Sequence, residues 1–294
     1  MKNYILGTDW WTDCDDAVAL RIAARLHNAG KIRINGIGLN ACMEYSVRSL
    51  EGFLNLEGAK NIPIGIDLVA DDFGGNPPYQ RKLAAYSERY HANTDAENAV
   101  KLYRRLLANS DSPIEIIEIG YLQVISAVLE SQHDEISVKN GVELIREKVS
   151  KIWVMAGKWD EPGGIENNFA RNLRSRKAGK IFCEKCPVPV TFLGWEIGSD
   201  VLTGGKLNSN DHLYTVLKDH GSENGRMSWD PMLLVMAFTG DEQTAGYDFV
   251  KGYASVDAVT GANHFLPDEN GPHRYVIKKM PNEYYRDQID TLIQ

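Results

Sequence analysis

The chain has 294 residues, 43% hydrophobic and 24% charged, an ordinary balance for a globular protein with a sizeable core. Its formal net charge of −8, with no basic stripe interleaved with aromatics, argues against a polyanionic partner such as nucleic acid. No apolar run approaches the length of a membrane span, and Met1-Lys2-Asn3 leads to Asp9 without a signal-peptide core, so a cytoplasmic protein is expected.

Lys2 to Thr8 reads as a short apolar strand. Asp15 to Asn28 reads as a helix, with Ala17, Val18, Leu20, Ala23, Ala24 and Leu26 at helical spacing and Gly30 as a stop. Between and into these elements fall Asp9, Asp13, Asp15 and Asp16, four carboxylates within eight residues, beside Trp10 and Trp11. Crowded carboxylates repel and are costly to desolvate unless positive charge sits among them. A hard cation with oxygen ligands, Ca²⁺ or Mg²⁺, is the simplest relief. Helix capping accounts for one or two of these acids, not four. Strand followed by helix puts Asp9 at the carboxyl end of the strand and Asp15-Asp16 at the helix entrance, where open α/β sheets bind ligands.

Ile32 to Leu39 is a second strand ending in Asn40, Met43 to Leu56 a helix, and Ile62 to Ile66 a third strand. This alternation predicts an α/β fold: an open, mostly parallel sheet with helices on both faces. Residues 67–94 break the rhythm with the turn-rich Asp71-Asp72-Phe73-Gly74-Gly75-Asn76-Pro77-Pro78, which reads equally as a lid or binding loop and as a disordered surface insertion.

Asp95 to Ala108 returns to a helix, Pro113 to Ile119 is a strand, and Tyr121 to Leu129 and Val142 to Val149 are helical. Lys151 to Ala156 is a strand, followed by a polar loop that contains Glu166-Asn167-Asn168-Phe169. Arg174 to Cys183 reads as a helix and Val188 to Leu193 as a strand ending in Gly194-Trp195-Glu196, with Glu196 a candidate for substrate contact. Asp230-Pro231 opens an apolar helix from Met232 to Phe238, a normal cap-plus-proline arrangement when taken alone. Tyr253 to Gly261 and His273 to Met280 are expected as strands of a small peripheral sheet, and Asn282 to Ile293 as a closing helix. No fixed-period repeat or linker appears, so one domain over 1–294 is expected.

The Cys183-Glu-Lys-Cys186 pair lacks a second CxxC or a histidine pair and sits at a helix end, so incidental spacing outweighs a metal or redox role. His91, His264 and His273 are as readily solvated as catalytic, and the tryptophans are core or rim aromatics first, with one or two placed to sandwich a base.

The opening stretch Gly7-Thr-Asp-Trp-Trp-Thr-Asp-Cys-Asp-Asp16 resembles the aspartate cluster of the inosine-uridine-preferring nucleoside hydrolase family, in a variant with a longer aspartate loop. Ile37-Gly-Leu-Asn40, Ile62-Pro-Ile-Gly65, Ile119-Gly-Tyr-Leu-Gln123, Val154-Met-Ala-Gly157, Glu166-Asn-Asn168 and Ser228-Trp-Asp-Pro231 resemble further segments of that family, in its order and over nearly the whole chain. The resemblance implies Ca²⁺ held by Asp9, Asp16, Asp230 and the backbone carbonyl of Gln123, with Asp15 as the general base on a water at the metal. It implies Asn40, Glu166 and Asn168 on the ribose hydroxyls, Met155 against the sugar, Trp229 beside the leaving base, and a dimer or tetramer. The activity implied is cleavage of a ribonucleoside to ribose and base, through an oxocarbenium-like transition state.

Four positions depart from the pattern. Gly7 stands where the family has an aspartate, Trp11 where it has glycine, Gln123 where it has threonine, and Trp229 where some members carry a leaving-group histidine. A relative that binds a ribose-containing ligand without turnover is the alternative reading. A haloacid-dehalogenase-type phosphotransferase also sets a strand-end aspartate beside Mg²⁺, but that chemistry wants Asp-x-Asp, and Asp9 is followed by Trp10-Trp11.

Overall fold

The computed structural model describes residues 1–11 and 13–294. Its strands are β1 (Lys2–Thr8), β2 (Ile32–Leu39), β3 (Ile64–Ile66), β4 (Glu97–Asn98), β5 (Ile114–Glu118), β6 (Val149–Met155), β7 (Val190–Leu193), β8 (Leu202–Thr203), β9 (Arg226–Met227), β10 (Tyr247–Val256), β11 (Asn263–Pro267) and β12 (His273–Lys278). Ten of them form one sheet in the order β11-β10-β12-β7-β6-β5-β1-β2-β3-β4, and β8 pairs with β9 alone. Pairing is parallel from β12 through β4, and β10 runs antiparallel to both β11 and β12.

Two-residue alternation along β1 explains why helices cover both faces. Tyr4 and Leu6 enter one apolar cluster with the helices Asp15–Asn28, Ser46–Leu56, Trp229–Thr239 and Asn282–Ile293. Ile5 enters the other, with the helices Ala99–Ala108, Gln123–Glu130, Gly141–Lys148 and Leu173–Lys185. On that second face Gly7, Gly38 and Gly65 lie in one register row across β1, β2 and β3. Their lack of side chains lets the helix Ala99–Ala108 come close: a Cβ on Gly38 would lie 2.6 Å from Tyr103 Cε1, and one on Gly65 2.9 Å from Ala99 Cα.

Three expectations change. The C-terminal strands do not build a separate peripheral sheet but extend the main one, because His273 to Tyr275 of β12 pair in parallel with Val190 to Phe192 of β7. The apolar helix starts at Trp229, with Ser228 in the N-cap position, so Asp230 lies inside its first turn rather than at the cap. Within 67–94 the structure shows an ordered insertion with a short helix, Gln80–Leu83. Its far end is gathered around the buried carboxylate of Glu51, which accepts from Ser87 Oγ at 2.6 Å, the amides of Glu88 and Arg89 at 3.0 Å, and Arg89 Nε at 2.5 Å. Donors 36 to 38 residues from their acceptor give no local pattern to read.

Cys183 and Cys186 are buried free thiols, pushed up by burial in both cases, the latter to about 12. His273 is buried, accepts from the Ala254 amide at 2.9 Å, and is pushed down by burial to about 4, which marks it as a neutral structural side chain. No described helix is long and apolar enough to cross a membrane.

Candidate active site

The chain leaves β1 toward β2, β3 and β4 on one side and returns with β5 on the other, so the strand order reverses between β1 and β5. That is where an open α/β sheet leaves a crevice at its carboxyl edge. A cavity of about 530 Å³ opens there, in the range of ligand sites. Asp9, Trp11, Asp13, Asp15, Asp16, Met155, Glu166, Asn168, Trp229 and Asp230 all line it.

The acidic floor is assembled from two helix starts. Asp15 and Asp16 begin the helix Asp15–Asn28, and Asp230 comes from the first turn of Trp229–Thr239, which packs beside it. Asp15, Asp16 and Asp230 each offer a carboxylate oxygen within 4.8 Å of the others, and all three are buried. Asp9 lines the same cavity, but its Oδ1 accepts from the Trp11 amide at 3.0 Å and it stands outside this close trio. Asp16 is held by the Thr8 hydroxyl, and Asp15 Oδ2 accepts from the Asp230 amide at 3.0 Å. Burial, and then mutual repulsion, pushes the carboxyls of Asp9, Asp15, Asp16 and Asp230 well above the usual carboxylate range.

Asp13, without an assigned role in the sequence, forms a two-bond ion pair with Arg226, whose Nε lies 2.6 Å from Oδ1. The same guanidinium sits 5.5 Å from the Trp229 ring and draws the proton affinity of Asp15 back down. Trp10 adopts φ of +50°, a costly left-handed conformation for a bulky residue. Its amide donates to Thr8 Oγ1 at 3.0 Å and Asp16 Oδ1 at 3.4 Å, its ring nitrogen to Ser49 Oγ at 2.8 Å, and its carbonyl accepts from Gln80 Nε2 at 2.6 Å. Trp10 is thereby sunk in the core while Trp11 lines the cavity.

On the opposite wall Glu166 caps the short helix Asn167–Ala170 and accepts from the amides of Asn168 at 2.7 Å and Gly157 at 2.9 Å. Burial still pushes it up to about 7. Asn168 Nδ2 donates to the Met155 carbonyl at 2.9 Å, which fixes both residues at the end of β6. Trp229 donates its ring N–H to the Trp195 carbonyl at 2.6 Å, and the two rings face the cavity with centroids 6.4 Å apart.

Three expected residues do not line the cavity. Asn40 is fully buried, accepts from the Tyr121 amide at 3.0 Å, and receives the Gln123 side-chain amide on its backbone carbonyl. Gln123 begins the helix Gln123–Glu130, and its Oε1 is buried without a partner among the described residues. Glu196 turns toward the Trp159 amide at 3.3 Å.

A carboxylate from the neighbouring strand fills the space beside Gly7. Glu118, its register neighbour on β5, fills the space above it, for a Cβ on Gly7 would lie 1.8 Å from Glu118 Oε2. Glu118 accepts from Tyr103 Oη at 3.0 Å, and burial pushes it up to about 8.

Gly74, Gly75, Asn167, Arg171 and Trp195 also line the cavity. The turn-rich Gly-Gly and the strand-end Trp195 carried a signal in the sequence. Arg171 carried none, because its place follows only from how the loop after β6 folds back.

No protein-family model matches the sequence, and no curated protein does. Solved structures do match along nearly the full length. The inosine-uridine preferring nucleoside hydrolase of Bacillus anthracis is 14% identical, with 100% of this chain and 99% of that one covered and a TM-score of 0.70. The purine-preferring ribonucleoside hydrolase of Gardnerella vaginalis is 18% identical, with 99% of each chain covered and a TM-score of 0.69. The type III effector protein XopQ, solved in complex with adenosine diphosphate ribose, is 15% identical over 99% of this chain and 93% of its own, with a TM-score of 0.71. From β1 to the closing helix, the chain has the nucleoside hydrolase fold.

Proposed function

We propose that the protein is a Ca²⁺-dependent nucleoside hydrolase that cleaves the N-glycosidic bond of a ribonucleoside to ribose and free base. The observation that carries this reading is the buried Asp15–Asp16–Asp230 trio, opening with Asp9 on the same cavity as Met155, Glu166 and Asn168. Three carboxylate oxygens so close in a buried floor, with no cationic side chain among the described residues paired to them, fit a hard cation. Asp9, Asp16 and Asp230, which all line the cavity, would hold it. A divalent ion bound there supplies positive charge that acidifies a water and steadies negative charge on the sugar hydroxyls.

The chain's own residues do the rest. Asp15, fixed through Oδ2 by the Asp230 amide, takes the proton of the attacking water. Glu166 and Asn168 hold the ribose hydroxyls against Met155, so that the anomeric carbon faces the water. The acid-rich floor favours the positive charge that develops on the sugar as the bond to the base breaks. Trp195 and Trp229 give the departing base an aromatic wall, with no imidazole among the described residues that line the cavity.

A panel of nucleosides with a reducing-sugar assay, run with and without chelator, tests the reading. Sugar release that chelator stops is the expected result; no release from any nucleoside, with or without chelator, sinks it. The likeness to XopQ favours a second reading, a ribose-containing ligand bound without turnover. Calorimetric affinity for such a ligand in the absence of hydrolysis would select it.

A further inference from the structure

The described residues of the cavity wall include the acids Asp9, Asp13, Asp15, Asp16, Glu166 and Asp230, and a single base, Arg171. Its Nη2 donates to the Phe73 carbonyl at 2.6 Å, and its guanidinium carbon lies 4.8 Å from the centre of the Trp11 ring. Neither partner is an anion. Asp13 is taken by Arg226, and Asp72, on the loop beside Phe73, pairs with Arg174 at 3.5 Å. Among the described residues Arg171 therefore has no carboxylate partner, although it stands in an otherwise acidic lining.

The rim that Arg171 contacts is equally unusual. Trp11 donates its ring N–H to the Gly75 carbonyl at 2.9 Å, and a Cβ on Gly74 would lie 2.6 Å from Trp11 Cζ2. A Cβ on Gly75 would meet nothing within 4 Å. Among the described residues, neither the Gly74 nor the Gly75 amide donates to a protein group. A stacked, oriented guanidinium with spare N–H groups beside two unpaired glycine amides is a set of donors without an acceptor. Phosphate oxygens are the acceptors that such a set suits best.

Resting on the hydrolase reading of the cavity, we infer that the ligand is a phosphorylated nucleoside, with its phosphate at the Arg171–Gly74–Gly75 rim and its ribose over the acidic floor. An unphosphorylated nucleoside leaves these donors in water at little cost, so the rim adds affinity for the phosphate without excluding its absence.

Calorimetry in Ca²⁺ with a ribonucleoside and its 5′-monophosphate, on the wild type, Arg171→Gln and Arg171→Lys, tests this. The wild type is expected to bind the monophosphate about tenfold tighter or more, as one charge-assisted contact implies. Arg171→Gln is expected to erase that preference and Arg171→Lys to keep part of it, with melting temperatures unchanged and the wild-type preference shrinking as salt rises. Equal affinity for the two ligands, or a preference that Arg171→Gln retains, overturns the phosphate site while leaving hydrolysis standing. Tight monophosphate binding with neither ligand hydrolysed upholds the phosphate site and overturns the hydrolase reading. Binding of neither ligand overturns both.

Discussion

The backbone amide of Asp230 donates to Oδ2 of Asp15 at 3.0 Å, joining the two helix starts that build the acidic floor. A base so fixed keeps its orientation whether or not its neighbours carry charge. Asp15→Ala is expected to lower kcat by about 10²- to 10⁴-fold. Folding and cation binding should persist, because Asp9, Asp16 and Asp230 remain. A reducing-sugar assay beside a thermal melt checks both halves, and near-normal turnover would remove Asp15 as the base.

Cation binding should register in stability. Four buried carboxylates that repel one another destabilise the folded chain, and a ligand bound only to that state offsets this. Ca²⁺ at about 100 times its dissociation constant is expected to add about 2.7 kcal/mol. Asp230→Asn should lose most of that gain. Melting curves in Ca²⁺ and in chelator decide it; identical curves for the wild type would dismiss the site.

Arg226 lowers the proton affinity of Asp15 through its positive charge, while its partner Asp13 raises it. Arg226→Gln removes the lowering influence and leaves the raising one. A base held protonated more firmly works only at higher pH, so the acidic limb of the kcat/KM profile is expected to move upward. A limb that stays in place, or moves down, would show that the Arg226–Asp13 pair does not tune the base.

Glu118 gives stability a pH dependence of its own. Burial raises it to about 8, so between the ordinary carboxylate range and that pH the folded chain binds a proton that the unfolded chain has released. The stabilising contribution is complete at the acid end of this window and falls as pH rises toward about 8, by at most about 1.4 kcal/mol per pH unit. Glu118→Gln keeps an acceptor for Tyr103 and should flatten that slope. Urea unfolding of both proteins across the window, with chelator present throughout, measures it.

Much of this molecule is legible along the chain. β1, the helix after it and the crowding of Asp9, Asp15 and Asp16 follow from periodicity and charge, and both elements stand where the pattern puts them. What hides is whatever depends on distant backbone. The order around Glu51 needs donors from residues 87–89, and Arg171 reaches the cavity only because the loop after β6 folds back onto Phe73. Asn40 and Glu196 sit at strand ends as expected, yet face inward to bind the amides of Tyr121 and Trp159, a choice of rotamer that no spacing encodes.

Gly7 and Glu118 share one carboxyl-sized space between neighbouring strands. The acid can be supplied from either strand but not from both at once, so the two positions behave as alternatives. Gly7→Asp alone would force two acids into a single buried slot, and even with Glu118→Gly its Cβ would lie 2.7 Å from Tyr103 Oη, so the exchange also asks that ring to shift. Among distant relatives these two columns are therefore expected to trade places.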